Sequence, residues 1–412
     1  MLRYFSKFIL SLGGQMVKVS YAQTVYGQEE IDAVVSCLNN SSQMGKNASE
    51  FESKIAELFD KKYGLFVNSG SSALFLGMEA CNFPEGSEVI TPALTFSTTV
   101  GCIVKNNLVP VFVDVGTDDY CINVSQIESM ISDKTVAILA PNLMGNICDW
   151  KTIRQIADKH NLMVIEDSAD ILGAKLGNVS SGSYSDWSIT SFYGSHIINC
   201  AGNGGMLCVN NDDIYKRAKL LRSWGRSSSV FDEKSEAIEN RFNVKVENID
   251  YDAKFIFEEI GYNLEGSEIG AAFGLVQLKK LKENIQERIK NFNIQTKFFE
   301  SLDEYFITPK ETANAYTAWL AYPIIIKDEA PFSRKNFQIY LEKNNIQTRT
   351  VFTGNITRQP GFKNVKMRKL DELPNSDKIM KDAVLLACHH GLTDEMINHM
   401  HKTINEFVDQ NK

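Results

Sequence analysis

Three short stretches of this chain carry side chains that could do chemistry, and each follows an apolar run. Asn68-Ser69-Gly70-Ser71-Ser72-Ala73-Leu74 passes from a strand-like pattern into a helical one. Small residues with free amides at a helix N-terminus make a pocket for an anion, usually phosphate. An ordinary capped helix is written with the same residues. Val164-Ile165-Glu166-Asp167-Ser168 sets Asp167 at a strand end, where it can face a bound ring cation or cap the next turn. Ser191-Phe192-Tyr193-Gly194-Ser195-His196 leaves another apolar run, and Gly202-Asn203-Gly204-Gly205 precedes the next. Those glycines allow a backbone to approach a ligand, or simply turn the chain into a strand. Ser191 offers a second hydroxyl to a phosphate, and His196 offers an imidazole on a loop.

The elements that must position these groups are legible as alternation. Gly64–Val67, Glu88–Thr91, Val109–Asp114, Val136–Ala140, Leu162–Glu166, Trp187–Phe192 and Met206–Val209 are nearly continuous apolar runs, as expected of strands covered on both faces. Helical patterns at Ser71–Cys81, Val124–Ile131, Trp150–His160 and Asp212–Arg222 lie between them. The alternation predicts an α/β fold, a mostly parallel sheet between helices, with ligands at the carboxyl ends of its strands. A long helical pattern from Ser267 to about Leu302 reads as a connector. Beyond it a smaller C-terminal α/β domain is expected, with a strand at Trp319–Ile326, a helix near Ser333–Asn344, a strand at Gln347–Val351 and a terminal helix from Asp394. The expected division is an extension over residues 1–16, a large domain over 17–265, a connecting helix over 266–302 and a small domain over 303–412.

Composition narrows the function classes. With 412 residues, 43% of them hydrophobic and 23% charged, the chain has ample material for a buried core. Its net charge of −8 argues against a phosphate-backbone binder, so no nucleic-acid partner is expected. The eight cysteines form no Cys-x-x-Cys pair, so neither a zinc ribbon nor a redox motif is written here, and no metal-ligand set is expected. No apolar stretch reaches the ~20 residues of a membrane-spanning helix. Residues 1–16, with two cations and a short apolar patch, lack the form of a signal peptide and are expected to be a disordered extension of a cytoplasmic protein.

The order of the pieces is more specific than any one of them. A small-residue turn, an aromatic in Thr91-Pro92-Ala93-Leu94-Thr95-Phe96, a strand-end Asp and a Ser-Phe segment followed by Gly-x-Gly-Gly appear in sequence, with Pro110-Val111-Phe112-Val113-Asp114 and Gly261-Tyr262-Asn263-Leu264. From about Tyr21 onward the chain resembles the sugar-modifying branch of the fold-type I pyridoxal-phosphate enzymes, the DegT/DnrJ/EryC1/StrS-type family acting on nucleotide-linked keto sugars. The resemblance implies that Gly70, Ser71 and Ser191 bind the cofactor phosphate and that Phe96 stacks on its pyridine ring. Asp167 would pair with the ring nitrogen, keeping the ring cationic and able to accept electrons. Asn263 would reach the phosphate of the neighbouring subunit, so a homodimer with shared active sites is implied. Arg226 and Arg358 are candidates for a diphosphate contact or for surface ion pairs.

One departure bears on the reaction. The family's aminotransferases carry a lysine where this chain has His196, and that lysine holds the cofactor aldehyde covalently. Imidazole cannot form that stable link, and Gly194, Ser195, Ile197, Ile198 and Asn199 carry no amine. Histidine here resembles the family's 3-dehydratases, with His196 as the proton-transferring base. Some of these hold an iron–sulfur cluster; this chain has serines in Trp224-Gly225-Arg226-Ser227-Ser228-Ser229 and no cysteine between Cys208 and Cys388. The resemblance therefore implies the cluster-free kind. Its pyridoxal phosphate is non-covalent and converts to the pyridoxamine form with L-glutamate, and its substrate is GDP-4-keto-6-deoxy-D-mannose or a related nucleotide-linked 4-keto-6-deoxy sugar, a step in the deoxysugar synthesis of lipopolysaccharide. A sugar aminotransferase and an inactive cofactor-binding relative are the alternatives.

Overall fold

Near-continuous apolar runs become strands packed on both faces, and their alternation sorts the side chains. The structure is a computed structural model that describes residues 17–230 and 238–412; the extension expected over residues 1–16 lies outside them. Its main sheet has eight strands in the order Tyr63–Val67, Gly205–Val209, Trp187–Ser191, Met163–Ser168, Thr135–Pro141, Glu88–Pro92, Val109–Val113 and Arg368–Lys369. From Trp187–Ser191 to the Arg368–Lys369 edge all pairings are parallel, whereas Gly205–Val209 runs antiparallel to both its neighbours.

Within Thr135–Pro141 the period of two sends Ala137 and Leu139 to one face and Ile138 and Ala140 to the other. Helices Gly70–Ala80 and Asp212–Arg222 cover the first face through Leu74, Leu76, Ala218 and Leu221. Helix Trp150–His160 covers the second through Trp150, Ile153 and Ala157.

The connector is two helices, Glu268–Lys279 and Leu281–Glu300, joined at Lys280. Past it, Phe306–Ile307, Ala321–Ile326 and Ala383–Ala387 form an antiparallel three-stranded sheet. This sheet packs with helices Arg334–Lys343 and Asp394–Gln410 on a core rich in phenylalanine, including Phe299, Phe306, Phe337 and Phe407.

Two expectations need correcting. No strand forms at Gln347–Val351: the backbone N–H of Thr348 donates to Glu342 Oε1 at 2.6 Å, and only Arg349 bridges to Leu385. The strand expected from Trp319 begins at Ala321, because the Leu320 N–H is taken by the Met144 carbonyl at 2.7 Å. That contact comes from a tight turn in which Met144 and Gly145 have φ of +56° and +110°. A Cβ on Gly145 would lie 2.5 Å from the Trp319 Cα, so only glycine lets the two segments touch.

Long-range caps hold the layers together. Asp114, just past the strand Val109–Val113, accepts from the N–H groups of Asn375 and Ser376, each at 2.9 Å, at the start of helix Pro374–Asp382. Buried Glu268 does the same for helix Lys46–Leu58, whose own N-cap is Gly45 and offers no side chain: it accepts from the N–H groups of Gly45, Asn47 and Ala48 at 2.7, 2.6 and 3.1 Å. Among the described residues no helix is long and apolar enough to cross a membrane. Glu268→Ala strands three donors in a buried site, and a loss of about 2 kcal/mol in urea unfolding is expected.

Candidate active site

The carboxyl ends of the parallel strands open onto a cavity of about 410 Å³. Pro141 and Asn142 enter its lining from Thr135–Pro141, Asp167 from Met163–Ser168 and Ser191 from Trp187–Ser191, while Phe96 comes from the loop after Glu88–Pro92.

One end of the cavity is suited to an anion. Ser69 caps helix Gly70–Ala80 by accepting from the Ser72 N–H at 3.1 Å, which leaves the first-turn amides of Gly70 and Ser71 to meet a ligand in the cavity. A Cβ on Gly70 would sit 2.7 Å from the Ser191 Cβ, so glycine is what lets the helix terminus and the second serine converge. Ser71 stands beside them, its hydroxyl 3.2 Å from Thr98 Oγ1.

The middle of the cavity is suited to a cationic ring. Asp167 is buried, with Oδ2 accepting from Thr99 Oγ1 at 2.8 Å and Oδ1 from the Ala169 N–H at 3.1 Å. Burial raises its carboxyl above the usual carboxylate range, against the pull of those two donors. No lysine or arginine is among the described residues lining the cavity, so a cation for Asp167 has to arrive with the ligand. Phe96, half exposed to the cavity, stands edge-on to Phe352 with ring centres 5.8 Å apart. A helix-terminal anion pocket, an apolar ring and a carboxylate in want of a cation fit a phosphorylated pyridinium, the group that the resemblance implies.

His196 lies on the loop joining two antiparallel strands, Trp187–Ser191 and Gly205–Val209. Backbone bonds from Phe192 to Gly204 and from Gly194 to Gly202, both 2.9 Å, hold that loop closed. The ring Nδ1 is 3.1 Å from the Ser191 carbonyl, which can only accept. The proton therefore resides on Nδ1 and the lone pair on Nε2. Burial pulls the ring's pKa down to about 4, with the Ser191 carbonyl opposing and the Arg288 guanidinium adding to the fall, so the imidazole is neutral at pH 7.

The structure thus brings Gly70, Ser71, Phe96, Asp167, Ser191 and His196 to one cavity. Asn263 is not in its lining; it is exposed and bridges to Ser223. Arg358 pairs with Asp377, and Arg226 stacks 5.2 Å over Trp224; neither lines the cavity. Sequence reasoning missed Tyr21, Thr98, Thr99, Asp170, Asn203 and Phe352, which do line it. Asp170 accepts from the Met144 N–H at 2.8 Å and is raised to about 7, chiefly by burial. Its spacing of three from Asp167 was the available signal, and Thr98 and Thr99 follow Phe96 directly.

Comparison with known proteins places this geometry. The profile of the DegT/DnrJ/EryC1/StrS aminotransferase family matches residues 25–405. The lipopolysaccharide biosynthesis protein RfbH of Salmonella typhimurium is 33% identical over 94% of this chain and 91% of its own. A dTDP-4-dehydro-2,6-dideoxy-D-glucose 3-dehydratase of Saccharopolyspora spinosa is 33% identical over 88% of this chain and 80% of its own. Among solved structures, an E. coli GDP-4-keto-6-deoxy-D-mannose-3-dehydratase with bound hydrated PLP matches at a TM-score of 0.84, covering 94% of this chain and the whole of that one at 25% identity. With its mixed, mostly parallel sheet and this match along nearly its whole length, the chain belongs to the DegT/DnrJ/EryC1/StrS aminotransferase family and has the fold-type I architecture of pyridoxal-phosphate enzymes.

Proposed function

We propose that the protein is a pyridoxal-phosphate-dependent 3-dehydratase of a nucleotide-linked 4-keto-6-deoxy sugar, with GDP-4-keto-6-deoxy-D-mannose as lead substrate and L-glutamate as amino donor. The observation that carries the reading is the cavity lining itself: a helix terminus suited to an anion, a buried carboxylate and a neutral imidazole, with no lysine among the described residues there. Two of the relatives above are 3-dehydratases by name, which supports the same reading.

Pyridoxal phosphate supplies an aldehyde that exchanges amino groups and a cationic ring that accepts electrons. Gly70 and Ser71 hold its phosphate with amide and hydroxyl, and Ser191 adds a hydroxyl. Phe96 covers a face of the ring and Asp167 keeps its nitrogen protonated. Asn263, outside its own cavity, reaches the phosphate held by the second subunit of a homodimer. Nε2 of His196 accepts the proton lost in the elimination and returns it to the departing C-3 hydroxyl. Glutamate leaves as 2-oxoglutarate and ammonia and is the two-electron reductant that loss of one sugar oxygen requires. The sugar leaves as a 4-keto-3,6-dideoxy nucleotide.

Incubation with pyridoxal phosphate, glutamate and GDP-4-keto-6-deoxy-D-mannose, beside CDP- and dTDP-linked 4-keto sugars, tests this directly. One 2-oxoglutarate and one ammonia per sugar are expected, with no 4-amino sugar accumulating; a stable amino sugar would make the protein an aminotransferase. Borohydride should leave no cofactor bound to the native chain and should trap it on His196→Lys. His196→Asn is expected to lower dehydration by about 10²-fold or more while still binding cofactor. The acid limb of kcat/KM should fall near pH 4, since below that value the imidazole is protonated and cannot act as base. Gly70→Ala, by pushing against Ser191, should weaken cofactor affinity about tenfold in an absorbance titration.

A further inference from the structure

Behind the loop that carries His196 lies a charged side chain with no surface of its own. Arg288, on helix Leu281–Glu300, is fully buried. Its Nη2 donates to the Ser195 carbonyl at 3.2 Å. Its Nη1 donates to the carbonyls of Trp319 and Leu320 at 3.2 and 3.1 Å, and its Nε to His390 Nδ1 at 3.1 Å. All four acceptors are neutral; Asp170, which shares no hydrogen bond with the guanidinium, acts on it only through space. A buried cation held by neutral acceptors, its through-space carboxylate Asp170 raised to about 7 and so only partly ionised, is costly, and an apolar side chain would fill the space at less expense to stability. The charge needs a reason beyond packing.

We propose that Arg288 is a positioning residue for His196: it anchors the Ser195 carbonyl, one peptide before the imidazole, and sets a fixed positive charge that opposes a second one on that ring. The proposal rests on the reading of His196 as the base. One guanidinium also ties the loop to the segment that enters the smaller sheet and to the loop after Ala383–Ala387, so the ring's place depends on both units of the fold.

The other charged and titratable groups around the imidazole do not supply this effect. Tyr193 shares its loop, with ring centres 6.1 Å apart. Asp167 and Asp170 line the cavity from the strand-end loop, and Tyr21 from the N-terminal segment. The carboxylates, when ionised, favour imidazolium, the opposite sign. Burial pushes the Tyr21 phenol and the Cys388 thiol up, so both stay uncharged. His389 and His390 are pulled down to about 4 and about 3, chiefly by burial, and are neutral as well. Arg288 is itself lowered only to about 10 and keeps its charge.

The test is a histidine titration on the cofactor-loaded protein, ¹³C-labelled at the imidazole Cε1, with His196 assigned by loss of its signal in His196→Asn. The native midpoint is expected near 4, and Arg288→Met should raise it by about one pH unit. Arg288→Lys, which loses the same fork of carbonyl contacts but keeps the charge, should hold the midpoint within a few tenths of the native value. In turnover, Arg288→Met should lower kcat more than it changes KM for the sugar. A midpoint in Arg288→Met equal to the native one, with only the melting temperature lowered, would reduce Arg288 to packing and overturn the proposal; so would equal rises in both variants. If neither variant folds, Arg288→Gln, which loses the charge but keeps a polar side chain, takes their place, and a midpoint equal to the native one refutes the proposal. Because no sugar takes part in the titration, failure of the dehydratase assay leaves this result standing.

Discussion

The hydrogen bond from His196 Nδ1 to the Ser191 carbonyl is the contact on which the rest of the site turns. It joins the last residue of a sheet strand to a ring five positions later, so the loop must fold back on its own origin. That return fixes which nitrogen carries the proton, on a ring that lines the cavity. The ladder between Trp187–Ser191 and Gly205–Val209 makes the return possible by bringing the loop's two ends side by side. Turning the bond around is not open to the ring, because a carbonyl oxygen has no proton to donate.

The same economy governs the carboxylates. Glu166 and Asp167 are consecutive on one strand, and the period of two sends them to opposite faces. Glu166 is fully buried and satisfied by Asn142, Ser168 and Ser188 at 3.0, 2.7 and 2.6 Å, a structural arrangement. Asp167 has donors on one side and the cavity on the other. Two neighbours of like chemistry thus acquire different surroundings from strand geometry alone, one satisfied by a buried polar network and the other open to the cavity.

The strand ends were the legible part of the site. Gly70, Ser71, Asp167, Ser191 and His196 each follow an apolar run at the point where a parallel sheet exposes its carboxyl edge, so local pattern located them. What escaped was whatever depends on distant segments. Tyr21 comes from an N-terminal stretch laid against the far end of the chain, with its N–H on Gln347 and the Val19 N–H on the Asn345 carbonyl. Phe352 meets Phe96 across more than two hundred residues. Arg288 sits in Glu287-Arg288-Ile289-Lys290, a run that reads as a solvated face; only the convergence of carbonyls from two other segments and a His390 nitrogen from a third makes it a core residue. Gln347–Val351 was misread for a related reason, since nothing within Gln347-Thr348-Arg349-Thr350-Val351 reveals a glutamate outside it that captures its amide.

The lone reversed strand, Gly205–Val209, carries a consequence of another kind. Because it locks both stems of the histidine loop into the sheet, the tip can change its chemistry without disturbing the scaffold. An amine or an imidazole could stand there on one unaltered framework. A substitution at that tip is then limited by what the pocket tolerates and not by foldability.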